Sequence, residues 1–167
     1  MKCTTLGLAV LFAAFASSAL AQTPVSGTSK CPKSDDSKTV EVGDHPGHVL
    51  ILEKGSCIWS APIELAGLKS TADSGADTVD VTGAKGLARG YSVTTMENGD
   101  KAFVRWQATG TSTKEGTVSG DGIWSYTGGT GKLKGLKGKG TFKFSSAPDG
   151  SSESQIVGTY SLPEPKK

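Results

Sequence analysis

The sequence has few of the residues that usually build catalytic and metal centres. Its 167 residues include two histidines and three cysteines, and aromatic residues make up 7% of the chain. The histidines, His45 and His48, flank a Pro-Gly pair, so no rigid element fixes their relative direction and we predict no metal site. There is no C-x-x-C pair and no Gly-x-Ser-x-Gly nucleophile motif. We therefore expect no cofactor, and these absences favour a binding role over an enzyme.

An excess of charge of either sign is also missing. The chain has 18 basic and 16 acidic residues, and loss of residues 1–21 removes one lysine and no acid, which leaves a net charge of +1. A nearly neutral domain is not drawn as a whole to a polyanion or a polycation. We predict no nucleic-acid partner, and the sequence assigns no oligomeric state.

Long apolar runs are confined to the first residues of the chain. Lys2 precedes the apolar run Leu6–Ala16, and Ala19-Leu20-Ala21 follows as a small-x-small site. These are the parts of a secretory signal peptide, and the run is shorter than the roughly 20 apolar residues of a membrane helix. We predict a signal peptide over residues 1–21, a periplasmic or secreted protein, and no membrane span.

Export leaves two cysteines, Cys31 and Cys57, because Cys3 lies in the signal peptide. An even number of cysteines in an oxidising compartment favours one disulfide. The alternative is a pair of free or buried thiols.

Alternating polar and apolar residues indicate β-strands almost throughout the mature chain. Such alternation accompanies Val79 and Val81, Tyr91 and Val93, Val104 and Trp106, Phe142 and Phe144, and Ile156 and Tyr160. About eight strands with short turns and 23 glycines predict an all-β fold, a single antiparallel barrel over residues 39–162. We expect a flexible arm over residues 22–38, a disordered tail over 163–167, and one short helix over 60–67.

The most unusual stretch runs from Trp124 to Phe142 and combines glycine with lysine. It is not a P-loop, because Leu133 follows Lys132 where serine or threonine is required. Its lysines form a basic cluster that could bind a polyanion: Lys132, Lys134, Lys137 and Lys139. The simpler interpretation is an exposed loop in which Leu133 and Leu136 close the barrel end.

Within this stretch, Gly129-Thr130-Gly131-Lys132 continues to Gly135 and Gly138, giving Gly-Thr-Gly-Lys-x-x-Gly-x-x-Gly. Residues 126–140 resemble the corresponding connection in small secreted barrels of the allene oxide cyclase and dirigent-like group. The resemblance implies an eight-stranded antiparallel barrel with a central cavity. None of the catalytic residues of those families can be matched here.

A cavity suggests a small apolar molecule as the partner, and the candidate ligand-binding residues are His48, Tyr91, Trp106 and Trp124. The alternatives are plain core packing, a cyclase or isomerase that uses the cavity, and a polyanion- or envelope-binding module that uses the lysines. Asp73, Asp77 and Asp80 lie close in sequence, but their spacing is not that of a calcium loop. We interpret them as solvent-exposed loop acids.

The signal peptide leads to a direct test. We expect cleavage after Ala21, because signal peptidase requires small side chains at the positions of Ala19 and Ala21. Intact-mass measurement of the exported protein checks this, and a mass that retains residues 1–21 contradicts it.

Overall fold

The computed structural model describes residues 22–164 of the chain. The expected signal peptide and the last three residues of the expected tail lie outside this range. The described residues form a 3-10 turn (Gly131–Leu133) and ten strands: β1 (Thr23–Cys31), β2 (Asp36–Glu41), β3 (His48–Ala61), β4 (Glu64–Leu65), β5 (Leu68–Thr82), β6 (Lys85–Met96), β7 (Lys101–Ser112), β8 (Val118–Gly129), β9 (Lys137–Ser146) and β10 (Ser152–Ser161).

Eight of the strands in residues 22–164 close into an antiparallel barrel, in the order β3-β1-β10-β9-β8-β7-β6-β5. The ring closes where β5 pairs with β3, from His48 opposite Thr82 to Ile58 opposite Ala72. The two remaining strands are accessories: β2 extends the edge of β3 beyond β1, and β4 forms a hairpin with the start of β5. The antiparallel barrel expected from the alternation is therefore confirmed.

The segment expected to be a flexible arm, residues 22–38, is part of the barrel wall instead. Strand β1 pairs along its whole length with β10 and through residues 28–30 with β3, and β2 begins at Asp36. Val25 and Ser29 face inward and are 6% and 5% exposed. The inward residues of β1 are Val, Gly, Ser and Cys in turn. This set is too weakly apolar for alternation in the sequence to predict a strand.

A disulfide between Cys31 and Cys57 joins the end of β1 to β3, with the two Cα atoms 4.1 Å apart. The expected disulfide is confirmed. It fixes the chain where β1 ends and the short connection to β2 begins. A cross-link across this 26-residue separation stabilises the fold by about 3–4 kcal/mol on the chain-entropy model.

One end of the barrel is closed by three fully buried leucines, Leu65, Leu133 and Leu136, which we call the plug. Leu133 and Leu136 come from the Gly-rich stretch, as the sequence predicts. Leu65 comes from the β4–β5 hairpin, so the short helix expected over residues 60–67 is wrong. Ala66 and Gly67 have φ values of 53° and 74°, and the Ala66 N–H donates to the Tyr160 hydroxyl at 3.0 Å. Both positive φ values suit a tight two-residue hairpin rather than a helix.

Aromatic rings inside the barrel lie over glycines of the neighbouring strands. A Cβ at Gly90 would lie 2.7 Å from the ring of Trp106, which is its partner in the β6–β7 register. A Cβ at Gly140 would lie 2.6 Å from the ring of Trp124. Close packing leaves no room for a second side chain at these positions. Glycine at these inward positions is thus a packing requirement of the interior, whereas others, such as Gly99 and Gly150, have positive φ.

The Gly-rich stretch allows a test of which of its residues matter for stability. Gly135 has a φ of +81°, and a Cβ there would lie 2.8 Å from the Pro163 ring. We expect Gly135→Val to lower the free energy of unfolding by about 1–3 kcal/mol, because a β-branched residue is strained at this φ. The control Lys134→Gln changes an exposed side chain and should shift it by at most about 0.5 kcal/mol. Urea denaturation of the disulfide-bonded proteins measures both, and equal effects would contradict this role for the glycine.

Candidate functional site

Above the plug the barrel encloses a cavity of about 630 Å³, which we call the lumen. Its floor includes Trp124, Tyr126 and Ile63, and its rim is formed by the turns at the opposite end of the barrel. A groove of about 1020 Å³ on the outer wall, along Leu87, Thr109 and Lys143, has no such enclosure. Ligand cavities typically have volumes of about 300–1,000 Å³ and are concave. The lumen is therefore the better candidate site.

The lumen wall is mainly aromatic and aliphatic. Trp106 and Phe142 meet edge to face with ring centroids 6.0 Å apart, and Trp124 and Tyr126 do so at 4.9 Å. The apolar side chains of the wall include Ile51, Trp59, Val79, Val81, Ala88, Val104, Trp106, Ala108, Val118, Trp124, Phe142, Phe144 and Ile156. Such a wall suits an apolar or aromatic molecule.

Three carboxylates interrupt this apolar wall. Glu53 on β3 and Asp77 on β5 are direct partners in the strand register, and both line the lumen. Asp73 lies four residues from Asp77 along β5 and accepts a hydrogen bond from the Thr94 hydroxyl at 3.3 Å. The basic residues on the lumen boundary are Lys33 and Lys85, and neither forms an ion pair with these acids.

Burial changes the titration of Asp73 and Asp77. It raises the pKa of Asp73 from 3.8 to about 6. Burial, with a smaller contribution from the negative charge of Glu53, raises the pKa of Asp77 to about 6. The pKa of the Tyr126 phenol is also raised, mainly by burial and further by Asp73. The lumen therefore holds acids that ionise near neutral pH in an apolar setting, a combination typical of functional sites.

The sequence interpretation of these aspartates as solvent-exposed loop acids is wrong for Asp73 and Asp77. Both lie on β5 and face the lumen, whereas Asp80 lies on the outer face. The sequence contains a pattern that could have placed them in the lumen. Side chains two residues apart on a strand share a face, so Asp77, Gly75 and Asp73 lie on the same face as Val79. Glu53 is related in the same way to Ile51 on β3.

Two of the four predicted ligand-binding residues line the lumen, and the other two do not. Trp106 and Trp124 line the lumen, and Trp124 also donates its indole N–H to the Thr141 carbonyl at 3.2 Å. Tyr91 lies on the outer face and is 63% exposed, which corrects the expected inner face of β6. The inner positions of β6 are small because they include Gly90, over which the Trp106 ring lies.

His48 does not line the lumen, although it begins β3 at the open end of the barrel. Its ring nitrogens lie 2.6 Å from Asp44 and 3.0 Å from Asp80. The hydrogen bond to Asp44 is the largest cause of the raised pKa of His48. Asp44, His45 and His48 bring ligand atoms within 4.8 Å of one another, the closest approach to a metal-binding group among the described residues.

The four lysines predicted as a polyanion site lie outside the lumen and are exposed: Lys132, Lys134, Lys137 and Lys139. Lys137 and Lys139 project from the outer face of β9. Lys132 follows Gly131 in the 3-10 turn, and its backbone N–H donates to Asp100 at 3.0 Å. A polyanion bound here would therefore occupy a surface separate from the lumen.

Fold and site together define a class: a closed eight-stranded antiparallel β-barrel that is plugged at one end and has an apolar lumen with a carboxylate cluster. Comparison with protein-family models and with characterised proteins gives no match. Within residues 22–164 no helix has the length and apolarity needed to cross a bilayer.

The raised pKa of Asp73 predicts a pH-dependent stability. The unfolded carboxyl titrates near 3.8 and the folded one at about 6, so the folded state binds more protons between these values. Stability contributed by this group therefore falls as the pH rises through that window. We expect Asp73→Asn to raise the free energy of unfolding by about 1–3 kcal/mol near pH 7.5, with a much smaller gain near pH 4.

Urea denaturation at the two pH values measures this difference. The control is Asp121→Asn, because Asp121 is an exposed residue on β8. An equal gain from Asp73→Asn at both pH values would show that the carboxylate charge is not the cause.

Proposed function

We propose that this protein is an exported binding protein that holds a small, largely apolar molecule in the lumen. The observation that carries the proposal is a cavity of about 630 Å³ lined by aromatic and aliphatic side chains with a few polar groups. Small-molecule sites have this size and composition. The plug closes one end of the barrel, so a molecule in the lumen contacts the wall on all sides except toward the rim.

Two further observations support parts of the proposal. The disulfide between Cys31 and Cys57 fits a periplasmic or secreted protein, because disulfides persist in oxidising compartments. The resemblance of residues 126–140 to barrels of the allene oxide cyclase and dirigent-like group is compatible with the barrel observed here. We therefore propose a relationship to that group.

A second candidate function is an acid–base enzyme that acts on the molecule in the lumen. The observation that favours it is the pair Asp73 and Asp77, whose pKa values are raised to about 6 inside an apolar cavity. General acids and bases work best when their pKa lies near the working pH. Mass spectrometry of protein purified from its own host separates the two functions: a binding protein retains one molecule unchanged, whereas an enzyme converts it during incubation.

Whether ligands bind in the lumen can be tested with a substitution that fills it with a larger side chain. Ala88 lines the lumen and faces Ala108 across β6 and β7. We expect Ala88→Phe to weaken binding of the neutral dye Nile red by about tenfold or more, because a phenyl ring takes the space of the ligand. Fluorescence titration measures the affinity.

The matched control is Ala72→Phe, which adds the same ring at an exposed position of β5. Circular dichroism confirms that both variants are folded. Nile red binding that is equally strong in the wild type and in Ala88→Phe would contradict binding in the lumen.

A further inference from the structure

The unusual feature of the lumen is that two acidic side chains stand opposite each other on its wall. Glu53 and Asp77 stand directly opposite each other on adjacent strands, and both side chains line the cavity. Like charges at directly opposed positions of an antiparallel pair destabilise the sheet. Among the described residues, no lysine, arginine or histidine forms an ion pair with either group. Glu53 accepts a hydrogen bond from the Ser37 hydroxyl at 3.4 Å, so the described residues give this pair of acids a polar contact but no cationic partner.

Aromatic rings surround the same space. Trp59, Trp106 and Trp124 line the lumen together with Phe142 and Phe144. The faces of such rings carry partial negative charge and attract cations, most strongly where water is excluded. The indole Nε1–H of Trp59 is buried and has no hydrogen-bond partner in the described part of the chain. The aromatic wall can therefore contact a cation as well as an apolar body, and the indole offers one hydrogen-bond donor to an acceptor on the bound molecule.

We infer that the molecule held in the lumen is an organic cation, an amine or quaternary ammonium with an apolar body, whose charged head lies at Glu53 and Asp77. This inference rests on the proposed function and specifies its ligand class. The cation relieves the repulsion between the two acids, while the apolar body contacts the aromatic wall. With a pKa of about 6, the Asp77 carboxyl is largely ionised near pH 7.5 and can pair with such a cation.

A metal ion held mainly by side chains does not fit this position. Structural zinc sites use four protein ligands, and calcium takes six to eight oxygen ligands. In residues 22–164, a grouping of three ligand atoms within 4.8 Å is found at Asp44, His45 and His48, and the lumen acids form none. The spread of Glu53, Asp73 and Asp77 along the wall suits the larger, softer head of an organic cation.

Three probes with one apolar body test the charge preference. They are 1-naphthylmethylamine, 1-naphthalenemethanol and 1-naphthoate, which are cationic, neutral and anionic near neutral pH. By isothermal titration calorimetry of the mature, disulfide-bonded protein, we expect the amine to bind at least about tenfold more tightly than the alcohol, and the carboxylate to bind most weakly.

Removal of the acids should abolish this preference. In the variant Glu53→Gln with Asp77→Asn, we expect the affinity for the amine to fall at least about tenfold, toward that of the alcohol, while the affinity for the alcohol is unchanged. The single variant Asp77→Asn should give a smaller loss in the same direction. Asp121→Asn removes an exposed carboxylate of β8 and should leave all three affinities unchanged.

The possible failures can be told apart. Equal binding of amine and alcohol by the wild type overturns the charge inference and leaves binding in the lumen intact. Amine binding that is equally strong in the double variant also overturns it. If none of the three probes binds and Nile red does not bind either, the proposed function fails together with the inference.

Discussion

The interior of an eight-stranded ring has little room, and its aromatic side chains fit only because glycines face them. The Trp106 ring lies over Gly90, and the Trp124 ring lies over Gly140 and Gly158. Any Cβ at these glycines would overlap a ring, so the two residue types depend on each other. The tight floor at Trp124 and the shape of the free volume above it both reflect this pairing of rings with glycines.

The wall formed by β3 and β5 lacks this packing of aromatic rings on glycines. Gly55 stands opposite Gly75, and no aromatic ring is among the nearest atoms to either. The neighbouring inward positions carry Glu53 and Asp77. This side therefore adds little bulk and much charge to the lumen. Carboxylates placed in an apolar interior cost stability, and natural proteins usually accept such a cost where function requires it.

The sequence predicts those strands whose inner face is plainly apolar. Val104 and Trp106 on β7, and Phe142 and Phe144 on β9, have the spacing and the orientation that alternation implies. Strand β6 misleads, because its one large aromatic residue, Tyr91, is outside and its inner positions are small. Strand β1 is missed for a related reason, since Gly27 and Ser29 face inward without an apolar signal.

Less of the candidate site than of the fold could be predicted from the sequence. Trp106 and Trp124 could be proposed from strand alternation alone. The pairing of Glu53 with Asp77 depends on the register between β3 and β5, which are separated by the β4 hairpin. Local patterns do not specify that register, and the burial that raises the pKa of Asp73 results from closure of the whole barrel.

The plug has a kinetic consequence for whatever occupies the lumen. In the part of the chain that the structure describes, it leaves the rim as the way into the lumen, between turns that approach each other at Gly116 and Pro148 and at Gly150 and Lys33. Entry and exit therefore cross the same barrier. A rim substitution that touches no bound molecule changes the association and dissociation rates by the same factor, so residence time can vary in evolution while affinity stays constant.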